Sequence, residues 1–65
     1  MKKYIVEFMV NGIFDNYIGD YILADTPEEA LELAKAWFTE HGGEFEEIEI
    51  FKVIDYVSRE TLLIE

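Results

Sequence analysis

At 65 residues the chain is short enough for one domain, and a domain this small buries only about 60% of the surface its unfolded chain exposes, so its stability is expected to be marginal. Fifteen acidic residues against five basic ones give a formal net charge of −10, which disfavours direct binding to nucleic acid or to an anionic membrane and favours basic partners. With no cysteine and one histidine, disulfides and a single-chain zinc site are excluded.

No apolar run approaches the roughly 18 residues of a membrane span, and Glu7 interrupts the first hydrophobic stretch too early for a signal-peptide core. These features lead us to expect a cytoplasmic protein made of one domain, residues 1–65. Half of the chain is hydrophobic, including one tryptophan, four tyrosines and five phenylalanines, a rich content that has to be buried somewhere.

Lys3 to Val10 is dense in β-branched and aromatic residues and predicts a strand with Tyr4, Val6, Phe8 and Val10 on one face and Ile5, Glu7 and Met9 on the other. Asn11-Gly12 then tolerates the two positive φ values of a type I′ hairpin turn. The returning strand is expected over Tyr17 to Ala24, with Phe14, Asp15 and Asn16 able to extend the loop. Gly19 could be a bulge that exchanges the faces of Tyr17, Tyr21 and Leu23 with those of Ile18, Ile22 and Ala24.

Thr26 to Gly43 predicts one helix. Thr26 can cap it, Pro27 suits its first position, Glu29 completes a capping box, and Gly42-Gly43 ends it. At 100° per residue, Ala30, Leu31, Leu33, Ala34, Trp37, Phe38 and His41 fall on one side, while Glu28, Glu29, Glu32, Lys35, Thr39 and Glu40 fall on the other. Beyond it, Ile48 to Val57 predicts a strand, Ser58-Arg59-Glu60 a turn, and Thr61 to Ile64 an edge strand.

The fold class is therefore α+β in the order ββαββ, a four-stranded antiparallel sheet with one helix packed across one face. Every strand carries apolar residues on both sides, so the outer sheet face or a strand edge is expected to be covered by a second copy or another protein.

Catalytic patterns are missing. Gly12 and Gly19 lie in a hairpin and build no phosphate loop, Ser58 has no activating partner pattern, and no cofactor is implied. Asp15 and Asp20 do not make a calcium loop, because Tyr17, Gly19 and Thr26 stand where oxygen ligands belong. His41, in the last helical turn, is ordinary end-of-helix chemistry. The aromatic residues invite a base-stacking reading, which fails for want of neighbouring cations.

What remains is a surface. Glu44, Glu46, Glu47 and Glu49 are the densest acidic cluster and, with the helix carboxylates, could compete with nucleic acid for a basic groove; Tyr17 and Tyr21 suit an interface, where a ring is buried and its hydroxyl satisfied. The strand-to-helix junction Leu23-Ala24-Asp25-Thr26-Pro27-Glu28-Glu29-Ala30-Leu31 resembles that of many small bacterial, archaeal and phage proteins, and the hairpin-helix-hairpin order with its acidic balance is similar in kind to some phage-encoded anti-CRISPR inhibitors.

That resemblance implies a non-enzymatic inhibitor or adaptor of a nucleic-acid-handling protein. Two other readings stand beside it: a structural homodimer using the outer sheet face, and a small-molecule binder at a subunit junction around His41.

Overall fold

The computed structural model of the chain describes residues 1–16, 21–40 and 48–65. Its elements follow the order β1 (Lys2–Val10), β2 (Ile13–Asn16), β3 (Ile22–Ala24), α1 (Pro27–Glu40), β4 (Ile50–Asp55) and β5 (Thr61–Ile64). All pairings among the strands are antiparallel, and β1 is the central one. It pairs with β4 on one side, and on the other with β2 along one half of its length and β3 along the other half. β5 pairs with β4 and forms an edge, as its short sequence predicted. Five strands thus occupy four positions across an α+β sheet.

The first hairpin departs from expectation for a local reason. Asn11 and Gly12 adopt φ values of 53° and 79°, a turn so tight that Val10 faces Ile13 directly, and the chain re-enters the sheet at once. Phe14, Asp15 and Asn16, which could have extended the loop, are therefore strand, and the returning strand expected over Tyr17 to Ala24 is seen as β3 over Ile22–Ala24, its residues 17–20 lying outside the described residues. Glu7 faces Asn16 and Tyr4 faces Ile22, so three steps back along β1 correspond to six steps forward on the other side. An offset of three is odd, so the two faces are exchanged between β2 and β3; the bulge expected at Gly19 lies outside the described residues.

The helix begins where the cap placed it. Thr26 Oγ1 accepts a hydrogen bond from the Glu29 backbone N–H at 3.1 Å, and the Thr26 carbonyl accepts one from Ala30 N–H at 3.0 Å. Ala30, Leu31 and Ala34 are buried against Tyr4 and Val6 of β1, Ile22 and Ala24 of β3, and Phe51 and Val53 of β4. Alanines on both helix and sheet let the two layers approach closely. Trp37 and Phe8 pack at the margin of this core, and the Phe38 ring meets that of Phe8 edge to face at 5.5 Å.

Leu33 departs from its predicted side: it is 45% exposed, at the rim of the apolar stripe where it overhangs the sheet edge. The predicted third strand, 48–57, is paired as β4 only over 50–55, because Asp55 starts the next turn. Asp55 Oδ1 accepts hydrogen bonds from the backbone N–H groups of Val57 and Ser58, both at 2.9 Å, and Arg59 takes φ 65°.

Candidate protein-interaction surfaces

Strand alternation sorts the side chains of the sheet into two sets. Tyr4, Val6, Phe51 and Val53 point toward α1. Lys3, Ile5, Glu7 and Met9 of β1, with Ile50, Lys52 and Ile54 of β4, point to the outer face. Ile5 and Ile54 face each other there at 9% exposure each, buried by neighbouring side chains yet separate from the core under the helix. Around them Phe14, Leu23 and Ile64 remain substantially exposed, at 42%, 47% and 63%.

Cations gather on this side. Lys3 Nζ lies 4.6 Å from the centre of the Tyr21 ring and 5.6 Å from that of Tyr56, and the two rings meet edge to face at 5.5 Å. The Arg59 guanidinium also stands 5.1 Å from the centre of the Tyr56 ring, and Lys52 Nζ lies 5.2 Å from that of the Phe14 ring. At exposed positions such contacts contribute about 0.5–1 kcal/mol each, enough to hold the cations over the rings. Three of the five basic residues are thereby placed on one face of a chain whose net charge is −10.

The expectation that the aromatic residues lack basic neighbours is corrected. The signal was present in the alternation Lys3, Ile5, Glu7, Met9 but needed the pairing of β1 with β4 to bring Lys52 and Tyr56 alongside.

The opposite side of the molecule is anionic. Glu28, Glu29, Glu32 and Glu40 are exposed along α1, with Asp25 just before it. Lys35 of the helix is turned to the sheet end, where its Nζ meets Glu65 Oε1 at 3.2 Å; this is the ion pair among the described residues, and it leaves the helix carboxylates facing solvent.

Of the six residues singled out from the sequence, Tyr17, Glu44, Glu46 and Glu47 lie outside the described residues, as does His41. Glu49 is exposed at the hairpin end of the sheet, where its Oε1 accepts the Gly12 backbone N–H at 3.3 Å. Tyr21 belongs to the opposite end, beside Lys3. The length of β1 between these ends is about 20 Å, so Glu49 and Tyr21 do not form one site.

Asp55 has a displaced pKa. Backbone N–H donation, from Ser58 above all, holds its carboxyl below the usual carboxylate range, against the opposing effect of desolvation and with further help from the Val57 N–H, the Ser58 hydroxyl and Lys2. Its Oδ1 is engaged by two backbone N–H groups of the turn, so the role is structural. Among the described residues no cluster of three or more histidine, cysteine or acidic side chains is arranged to hold a metal ion, and no helix is long and apolar enough to cross a membrane. Comparison of the chain with protein-family models, curated proteins and solved structures returns no match.

Proposed function

We propose that this chain is a non-enzymatic protein-interaction module, a small acidic inhibitor or adaptor that acts in the cytoplasm on a basic, nucleic-acid-handling protein. The observation that carries the reading is the segregation of charge: the exposed carboxylates Glu28, Glu29, Glu32 and Glu40 share the helix side, while Lys3, Lys52 and Arg59 are drawn over aromatic rings on the sheet side. A field so polarised steers a cationic groove toward the helix, where the cation of α1, Lys35, is already paired with Glu65. Glu44, Glu46, Glu47 and Glu49 extend the same negative character in the sequence beyond the helix. The partner is a protein, and neither nucleic acid nor membrane is bound directly.

The test is capture of partners from the native host at low salt, followed by titration of the purified complex with salt. Affinity for the partner falls steeply between about 50 and 200 mM salt if carboxylates replace phosphates in a basic groove. Charge reversal at Glu28, Glu29 and Glu32 together abolishes binding. A complex insensitive to both salt and charge reversal overturns the reading.

A further inference from the structure

We propose that the outer sheet face is the interface of a homodimer in which two copies stack face to face, each with its helix turned away from the other. This inference does not depend on the inhibitor reading, since it concerns the opposite side of the molecule.

Its first support is electrostatic. Two chains of charge −10 repel each other wherever carboxylates meet, and every approach that involves α1 brings Glu28, Glu29, Glu32 or Glu40 into the contact. The outer face holds Lys3, Lys52 and Arg59, so it is the side on which two copies approach with least repulsion, and stacking there places the acidic helices at greatest separation.

The second support is self-complementarity. Glu7 and Lys52 face each other across the β1–β4 pair, and among the described residues the two form no ion pair. A two-fold axis that lies in the interface plane, parallel to β1 and β4 and midway between them, lays Lys52 of each copy over Glu7 of the other and Ile5 over Ile54. This is the reciprocal pattern that an isologous contact requires. Apolar surface continues outward from that centre in both directions, through Met9, Ile50 and Phe14 toward the hairpin and through Ile64 at the β5 edge.

Size sets a ceiling. The molecule extends 28 × 23 × 19 Å, so a flat face of either copy contributes at most roughly 600 Å², about 1,200 Å² for the pair, which reaches the lower end of stable specific interfaces and points to a modest affinity. Two sheets stacked about 10 Å apart in this way make a sandwich with one helix on each outer side.

The experiment is sedimentation equilibrium of the whole chain from about 10 μM to 1 mM, a range that brackets micromolar to submillimolar dissociation constants. The expected result is a shift from the 7.6 kDa monomer to twice that mass, with a melting temperature that rises with concentration. Lys52→Glu weakens association by at least about tenfold, the Glu7→Lys/Lys52→Glu double variant restores it, and Glu32→Lys on the helix does not weaken it.

Circular dichroism establishes that each variant is folded. Should Lys52→Glu fail that check, Ile64→Asp, at a position already exposed in the single chain, carries the test and weakens association likewise. A monomer at the highest concentration overturns the proposal. So does a dimer unaffected by Lys52→Glu and Ile64→Asp, or one broken by Glu32→Lys.

Discussion

Leu31→Ala measures how firmly the helix is seated on the sheet. Leu31 is 2% exposed and is the one large side chain that α1 buries completely, its buried helical neighbours Ala30 and Ala34 being small. Removing three carbons loses about 2–3 kcal/mol of transfer free energy at about 0.8 kcal/mol each, and the unfilled space raises the total toward about 5 kcal/mol. A 65-residue domain has about 3–10 kcal/mol of stability in all, so the loss is a large share of the total and unfolds a chain at the lower end of that range.

Leu33→Ala, two residues away in the same helix and 45% exposed, removes the same atoms at a cost under about 1 kcal/mol. Urea unfolding followed by the fluorescence of Trp37, the single tryptophan, reports both in one assay. Equal losses for the two leucines would refute the assignment of Leu31 to the core and Leu33 to the rim. So would a loss below about 1 kcal/mol for Leu31→Ala with an unchanged denaturant slope.

Thr26→Ala removes the acceptor of the Glu29 N–H and costs about 1 kcal/mol, a fall of about 4–8 °C in melting temperature by calorimetry. Arg59→Gly relieves a left-handed backbone position at φ 65° while losing the contact with Tyr56, so the two effects offset and thermal stability changes by less than about 1 kcal/mol. Gly12→Ala leaves the added methyl in open space but strains a backbone at φ 79°, and it lowers stability by about 1 kcal/mol in the same assay.

Asp55 gives the pH prediction. Its folded pKa is lowered, so its contribution is present above the ordinary value of 3.8 and is lost as the pH falls through the lowered one. The advantage of the wild type over Asp55→Asn in urea therefore disappears on acidification from pH 7 into that range, and an advantage that persists there contradicts the turn assignment.

The elements whose signals are local were legible in the sequence. Thr26, Pro27 and Glu29 fix the helix start because capping is decided within one turn of backbone, and Asn11-Gly12 fixes a hairpin because the turn needs only its own two φ values. The alternation of β1 gave its two faces correctly, and Thr61 to Ile64 was recognisable as an edge.

What could not be seen was long-range. Nothing local to Lys3 or Lys52 says that β1 and β4 lie side by side, and without that pairing the cations and the rings of Phe14, Tyr21 and Tyr56 had no common face. The strand at Ile13–Asn16 was hidden for a related reason, since hairpin register is set jointly by the turn and by the central strand it must match. Of the candidate interaction residues, Tyr21 was chosen for its amphipathic ring, and the structure supplies the cationic company that the sequence withheld.

The central strand is also the earliest in the chain, and its widest pairing, Tyr4 with Asp55, joins residues near the two ends. During translation β1 can close its hairpin within moments, yet it must wait for some forty further residues before its other long edge is occupied. Until then the chain displays an unpaired ribbon bearing Ile5, Val6 and Phe8, so the topology leaves one edge of its central strand open until β4 arrives.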